Sequence, residues 1–189
     1  MLNAFDTLAP GFLIAAPMLR DRNFEHTVVL MCLHSDDGAM GLVINRPAPL
    51  SIKDILVQLD LACTVEAGQN ILVGGPVSPD SGLLLYEVDP RAEEKEDELS
   101  VTDGLRLCPN RELLQAIGVG TGPDTYHMFL GHAGWGPGQL EAELSQGAWI
   151  PTKLRLDLIF GVPFEQRWEE ALRCEGMHPA QFGHNRPSA

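Results

Sequence analysis

Apolar residues come in short blocks separated by turn residues, which is typical of a chain built from short strands and helices. The strongest block, Thr27–His34, is apolar at nearly every position and predicts a strand covered on both faces. The turn Ser35–Gly38 follows it, and Ala39–Asn45 returns as the partner strand. We therefore expect a β-hairpin at the centre of a sheet. Gly41 in the second strand indicates a bulge or a close backbone approach.

Other segments predict further strands and four helices. The strand candidates are Phe12–Ala16, Ile71–Val73, Leu83–Val88, Leu99–Thr102, Leu105–Cys108, Thr125–Gly131 and Trp149–Leu154. The helix candidates begin at the capping box of Ser51 and Asp54, at Asn110, at Gln139 and after Pro163. The hairpin and the many short strands argue against a regular βαβ series. The pattern predicts an α+β fold around a mostly antiparallel sheet.

Length and cysteine spacing predict a single domain that needs no covalent or metal crosslink. The chain has 189 residues, enough for one domain with a sizeable core. The four cysteines are widely spaced and form no CxxC motif, so we interpret them as reduced thiols and expect no metal site. Residues 177–189 are polar and without pattern, which predicts a flexible tail.

Charge and hydropathy exclude several classes of protein. The formal net charge is −13, and the basic residues are scattered, so we expect no direct binding to nucleic acid. Part of the negative charge lies in the segment 87–98, which we interpret as a solvated loop. No apolar run approaches the roughly 18 residues that cross a bilayer. The first residues carry no Lys or Arg ahead of their apolar part, so the expected location is the cytosol, away from membranes.

Few residues suggest catalytic chemistry. The sequence contains no GxSxG, GxxxxGK[ST], GxGxxG or HExxH motif. Strand alternation predicts Cys32 on one face with His26 and His34, but apolar neighbours favour a buried structural thiol. His132 follows a strand, beside the glycine-rich segment Gly134–Gly138. That segment can offer N–H groups to an anion, but a tight turn before a helix is the favoured interpretation.

Several blocks resemble one known protein family. The blocks GFLIAAP, TVVLMCLH, GAMGLVINRP, LVGGPV and GHAGWGPGQLEAEL are similar, in order and spacing, to the signature of the YqgE/AlgH family. The resemblance covers residues 11–176, nearly the whole chain. It implies a compact α+β domain whose β-sheet is bent or split into a partial barrel and flanked by helices. It implies no known reaction, because the family has no agreed catalytic residues, and its name is linked to transcriptional regulation of alginate synthesis.

Three parts of this signature lie at predicted strand ends, and they form the candidate binding cleft. The residues are Asn45, Arg46, Pro47, Gly74, Gly75, Pro76, His132, Gly134 and Trp135. If the three strand ends meet at one edge of the sheet, their polar and aromatic groups share a cleft. The alternative is three tight turns, with Trp135 in the core and Arg46 in an ion pair.

Two functions follow from these patterns. The favoured one is a non-catalytic binding or regulatory protein that acts through a protein or small-molecule partner and carries no cofactor. The alternative is a small cytosolic hydrolase or transferase that uses His132 or His34 as its base.

Overall fold

The computed structural model describes residues 7–64 and 70–177 and shows an α+β fold. The ten strands in these residues are β1 (Gly11–Ala15), β2 (Val28–Ser35), β3 (Gly38–Val43), β4 (Pro47–Ser51), β5 (Asn70–Val73), β6 (Val77–Glu87), β7 (Leu99–Thr102), β8 (Leu105–Cys108), β9 (Tyr126–Trp135) and β10 (Trp149–Lys153). The same part of the chain contains five α-helices: α1 (Ile52–Gln58), α2 (Arg111–Gly118), α3 (Gln139–Ser145), α4 (Leu156–Phe160) and α5 (Arg167–Cys174). Residues 178–189 of the predicted tail lie outside the described residues.

The strands form one continuous path, and β9 joins its two halves. The order is β10-β1-β2-β3-β9-β6-β8-β7, with β4 and β5 attached beside β9. Only the β5–β9 pair is parallel among the described strands, so the predicted antiparallel character is confirmed. The C-terminal part of β9 pairs with β3, and its N-terminal part pairs with β5 and β6. Gly131 separates the two parts with a positive φ of 68°, which interrupts the extended backbone.

Three apolar clusters cover both faces of this sheet. The central cluster lies between the two halves and includes Phe12, Ile14, Leu30, Ile44, Leu85, Phe129, Leu158 and Trp168. A second packs α1 and α2 on the β6–β9 half and includes Ile52, Leu56, Leu84, Leu114 and Met128. A third packs α3 on the β1–β3 half and includes Leu13, Val29, Val43, Trp135 and Trp149. The two halves share one core, yet the path ends at β7 and β10, so the sheet stays open and forms no closed barrel.

The predicted hairpin is present, and its glycine has the expected role. Strands β2 and β3 pair antiparallel between β1 and β9. A Cβ on Gly41 would lie 2.6 Å from Val29 Cγ1 and 2.8 Å from the Leu30 oxygen, so this site requires the close approach that glycine permits. The irregular register lies instead in β2, between Met31 and Leu33.

Four features of the chain differ from the sequence prediction. Strand β4 was not predicted, because Pro47 and Pro49 argue against a strand. Among the described strands it pairs only with β5, and proline is tolerated on such an edge. Strand β6 begins at Val77 rather than Leu83, since its first residues are exposed and polar. Strand β9 continues through Gly134 to Trp135, so the glycine-rich turn begins only at the next residue. The short helix α4 was also missed.

A buried cation attaches the last helix to the sheet. Arg167 is 2% exposed; its Nε donates to the Val162 oxygen at 2.9 Å, and its Nη1 donates to the Ile44 oxygen at 2.5 Å. The guanidinium also lies 4.4 Å from the centre of the Phe164 ring. Burial lowers the pKa of Arg167 to about 10, so it stays charged near neutral pH. The carbonyl oxygens therefore solvate a charge that water cannot reach.

One acid of the predicted solvated loop is buried rather than exposed. The Glu98 side chain is 6% exposed, and its Oε1 accepts a hydrogen bond from the Tyr86 hydroxyl at 2.5 Å. Arg106, 5% exposed, donates to the Ala92 oxygen at 3.3 Å and so holds the loop against β8. No helix in the described residues is long and apolar enough to cross a membrane.

We expect Val43→Asp to destabilise the fold by about 3 kcal/mol or more, because Val43 is 1% exposed and the new carboxylate would be buried without a partner. Urea unfolding followed by circular dichroism measures this loss. The matched control is Val57→Asp on α1, where the side chain is 67% exposed, and its expected change is below about 1 kcal/mol. An unchanged midpoint for Val43→Asp would contradict the assignment of the hairpin to the core.

Candidate functional site

The three predicted strand ends meet through their backbones. The Arg46 oxygen accepts a hydrogen bond from the Val73 N–H at 2.7 Å. Gly74 then bridges two strands, since its oxygen accepts from the Val43 N–H and its own N–H donates to the Leu130 oxygen, each at 2.8 Å. The signature blocks therefore come together where β3, β5 and β9 cross.

The glycines are required by the closeness of this crossing. A Cβ on Gly74 would lie 2.2 Å from the Gly131 oxygen. A Cβ on Gly75 would lie 2.4 Å from the His132 oxygen, and Gly75 has a positive φ of 150°. A side chain at either position would overlap backbone atoms, which cannot move as a flexible side chain can. Packing of the crossing strands thus accounts for these residues.

Two polar side chains of the predicted cleft bind their own chain. Asn45 Oδ1 accepts from the Val28 N–H at 2.9 Å, and its Nδ2 donates to the His26 oxygen at 2.8 Å. Arg46 donates from Nη1 to the Asn23 oxygen at 2.6 Å and from Nη2 to the Glu25 oxygen at 3.1 Å. Both side chains hold the connection between β1 and β2. The ion pair considered for Arg46 is replaced by bonds to carbonyl oxygens.

The remaining residues of the predicted cleft are divided between core and surface. Trp135 is 6% exposed and lies in the cluster under α3. His132 is half-buried and pairs with Val77 in the sheet. Pro47, Pro76 and Gly134 are exposed. The structure thus brings the backbones together, while the use of these residues as one binding cleft stays a prediction.

A glutamate on α3 links two tryptophans. Glu143 Oε2 accepts from the Trp135 indole at 3.0 Å and from the Trp149 indole at 2.7 Å. The ring of Phe24 stacks 6.1 Å from that of Trp135 and meets Trp149 edge-on at 5.4 Å. These contacts assign Trp135 to packing between α3, β10 and the β1–β2 connection.

Two of the histidines considered for catalysis, His34 and His26, have structural partners. His34 Nδ1 accepts from the Leu8 N–H at 3.1 Å, so the proton lies on Nε2, which is 2.8 Å from Glu141 Oε1. This hydrogen bond lowers the pKa of Glu141. His26 lies edge-on against Trp168, with ring centres 4.5 Å apart. The basic nitrogen of His34 is thus occupied by an amide.

The described hydrogen bonds of Cys32 include neither His26 nor His34. It is 5% exposed and lies in the central core, where its Sγ contacts the Leu30 oxygen at 3.7 Å. Burial raises the pKa of the Cys32 thiol to about 12. The thiolate form is therefore scarce at neutral pH, and the sequence interpretation of a structural thiol is supported.

A concave site lies elsewhere, between α1, α2 and the outer face of the β6–β9 sheet. It is a cavity of about 300 Å³. Its lining consists of Ile55, Gln58, Leu59, Asp80, Gly82, Leu84, Pro109, Asn110, Arg111, Leu114, Met128 and Leu130. Leu84, Leu114 and Met128 are each at most 4% exposed and form its apolar floor. We call this site the α1–α2 cavity.

Gly82 shapes the floor of the α1–α2 cavity. It pairs with Leu130 of β9 directly after the irregular stretch that begins at Val77. A Cβ at Gly82 would lie 2.8 Å from Met128 Cε, the end of a flexible side chain. Any larger residue would therefore have to displace the end of Met128, which lines the cavity.

The rim of the α1–α2 cavity is polar and connects its two helices. Arg111, the first residue of α2, donates from Nη2 to the Leu59 oxygen at 2.8 Å, and Leu59 is the C-cap of α1. Asn110 caps α2 through the Leu113 N–H at 2.9 Å and donates to Asp97 Oδ2 at 2.6 Å. Asp80 is exposed on the β6 side of the rim. Apolar floor and polar rim together form a pattern typical of small-molecule sites.

A smaller cavity of about 210 Å³ shares Asn110 with this site. Its polar groups include Tyr86, Glu98 and Lys95, whose ammonium lies 3.5 Å from Glu98 Oε1. Burial raises the pKa of Tyr86, so its hydroxyl stays protonated and donates to Glu98. Within residues 7–64 and 70–177, no group of three or more His, Cys, Asp or Glu side chains is placed to hold a metal ion.

Sequence reasoning missed the α1–α2 cavity although it found the two helices. The caps at Ser51 and Asn110 were recognised, and the structure confirms them. The cavity, however, depends on Gly82 and Asp80, which follow an unpredicted start of β6. The one available signal was an isolated glycine ahead of a strand, and such a glycine commonly marks a turn.

Comparison with known proteins reveals relatives along most of the chain. A family model described as "DUF179: AlgH-like" matches residues 12–180. A UPF0301 protein of Anaeromyxobacter dehalogenans is 45% identical over 181 residues, covering 93% of this chain and 91% of its own length. A UPF0301 protein of Paracoccus denitrificans is 40% identical over 178 residues, covering 91% and 92%.

Solved structures share the fold. The solution structure of AlgH from Pseudomonas aeruginosa superposes with a TM-score of 0.79 at 35% identity, covering 100% of both chains. A crystal structure of a Corynebacterium diphtheriae protein gives a TM-score of 0.72 at 19% identity, covering 93% of this chain and 92% of the other. The second likeness shows the fold alone.

We expect Arg46→Ala to lower the free energy of unfolding by about 1–2 kcal/mol, because two carbonyl oxygens lose a charged donor. Urea unfolding measures the change. Arg22→Ala removes an exposed arginine from the same connection and serves as the control, with an expected change within about 0.5 kcal/mol. If both variants are equally stable, the structural role of Arg46 is wrong, and Arg46 is again a candidate ligand-binding residue.

We expect iodoacetamide at pH 8 to modify Cys174 and to leave Cys32 unmodified in the folded protein. Cys174 is exposed, whereas Cys32 is buried and has a pKa near 12. Mass spectrometry of peptides after a timed reaction measures both sites. Unfolding the protein in urea supplies the control, since both thiols should then react. Comparable rates in the folded state would contradict the structural assignment of Cys32.

Proposed function

This chain belongs to the AlgH-like family DUF179, and from that premise we propose that it is a non-catalytic binding protein whose ligand site is the α1–α2 cavity. The observation that carries the proposal is a concave space of about 300 Å³ with an apolar floor and convergent polar groups at its rim. Such sites hold small organic molecules, since the floor supplies burial and the rim fixes orientation. The ligand is a small molecule rather than a polymer, because the cavity is small.

Binding at this position has a direct route to regulation. Arg111 ties the start of α2 to the end of α1 through the Leu59 oxygen. A ligand group that competes for the guanidinium weakens this tie and changes how the two helices are held. Val57 and Val119 are exposed near the ends of these helices, at 67% and 38%. A protein partner that contacts α1 or α2 would then sense the occupied cavity.

The proposal places this activity in the cytosol and away from nucleic acid. A net charge of −13 repels phosphate, so any effect on transcription runs through the bound partner. The alternative of a His-based hydrolase or transferase has less support. His34 uses its basic nitrogen to accept an amide N–H, and neither it nor His132 lines the α1–α2 cavity.

We expect Gly82→Leu to abolish binding of small branched alcohols such as 3-methylbutan-1-ol, because the new side chain would displace Met128 and disrupt the floor of the cavity. In two-dimensional NMR of the unaltered protein, this probe should shift amides of Leu84, Leu114 and Met128 in a saturable way. The same titration of the variant should show no such shifts.

The control is Gly136→Leu, at an exposed glycine where an added Cβ meets no atom within 4 Å. This variant should bind the alcohol as the unaltered protein does. If the alcohol shifts no cavity amides, or if Gly82→Leu binds it unchanged, the α1–α2 cavity is not the ligand site.

A further inference from the structure

The rim of the α1–α2 cavity carries one cation and one anion that do not neutralise each other. Arg111 and Asp80 both line the cavity. The ion pairs among the described residues include none between these two side chains. The described contact of the Arg111 guanidinium uses Nη2 alone, for the Leu59 oxygen. Two opposite charges therefore stand at one mouth, each with capacity for a further partner.

These charges come from different elements of the structure. Arg111 begins α2 and is held over the mouth by the end of α1. Asp80 lies on β6 within the irregular stretch between Val77 and Gly82, where Ser78 has a positive φ of 49°. The backbone of this stretch leaves the regular register and places an exposed carboxylate at the cavity. A ligand that bridges both groups would contact α1, α2 and β6 together.

The floor of the cavity specifies the rest of the ligand. Leu84, Leu114 and Met128 are buried and apolar, and the volume of about 300 Å³ lies at the low end for small-molecule sites. This space accepts one branched or aromatic side chain rather than a nucleotide or a long acyl chain. The two amides at the rim, Gln58 and Asn110, add polar groups without net charge.

Building on the proposed function, we propose that the ligand of the α1–α2 cavity is an apolar α-amino acid. Its carboxylate pairs with the Arg111 guanidinium, its ammonium group pairs with the Asp80 carboxylate, and its side chain lies on the floor formed by Leu84, Leu114 and Met128. Arginine suits this role because its planar donors match a carboxylate. The ligand adds a second partner to the guanidinium that already binds the Leu59 oxygen, so the bound amino acid alters the tie between α1 and α2.

The test compares L-leucine with two analogues that each lack one charge. 4-Methylpentanoate lacks the ammonium group, and 3-methylbutan-1-amine lacks the carboxylate. Isothermal titration calorimetry with the full chain should give L-leucine an affinity at least about tenfold higher than either analogue, as loss of a charge-assisted hydrogen bond predicts. Equal affinities for all three compounds would overturn the assignment.

Two variants assign each charge to its partner. Asp80→Asn should remove the advantage of L-leucine over 4-methylpentanoate and keep its advantage over the amine. Arg111→Gln should do the reverse, and Arg111→Lys should restore part of the affinity because it keeps a cation. If the neutral substitutions leave both preferences intact, the rim charges do not recognise the ligand.

Two further results separate this inference from the proposed function. If 3-methylbutan-1-ol binds in the cavity while L-leucine does not, the amino-acid inference is wrong and the ligand site stands. If L-leucine binds and Gly82→Leu does not weaken it, the amino acid binds elsewhere and the inference is again wrong. Melting curves of each variant confirm that it is folded before the titrations are compared.

Discussion

A buried arginine binds helix α5 to the sheet, together with the apolar face of that helix. The Arg167 guanidinium donates to the oxygens of Val162 and Ile44, and so connects the start of α5 to the end of the hairpin. A buried cation without a carboxylate partner is stable only where fixed carbonyl dipoles replace its water. The bond from Arg167 therefore fixes the backbone of Ile44, the residue that follows β3. The next residue, Asn45, then binds the Val28 N–H and the His26 oxygen.

The position of the α1–α2 cavity depends on the crossing of β3, β5 and β9. The Arg46 oxygen accepts a hydrogen bond from the Val73 N–H of β5, and the Gly74 N–H donates to the Leu130 oxygen of β9. Leu130 is also the partner of Gly82 and part of the cavity lining. The signature residues around Gly74 therefore hold β3, β5 and β9 together. The ligand site that we propose lies one strand away from them, on the outer face of the β6–β9 sheet.

Sequence patterns predicted the elements whose formation depends on residues close together in the chain. The hairpin follows from a continuous apolar strand and a glycine turn, and both capped helices follow from Ser51 and Asn110. Strand β4 contains two prolines and exists because β5 lies beside it, a contact that the sequence does not display. The cavity joins residues from 55 to 130, including Gly82 on β6. Arg46 was predicted at a strand end, but its carbonyl partners lie 21 to 23 residues earlier and have no sequence signal.

The carboxylate that links two indoles also gives the protein an optical property. All three tryptophans donate their N–H groups to fixed acceptors: Trp135 and Trp149 to one oxygen of Glu143, and Trp168 to the Ala15 oxygen. Indole emission shifts with the charge and polarity beside the ring nitrogen. Two of the three chromophores thus report on one anion of α3 and the third reports on α5, so the intrinsic fluorescence spectrum records how these two helices sit on the sheet without any added label.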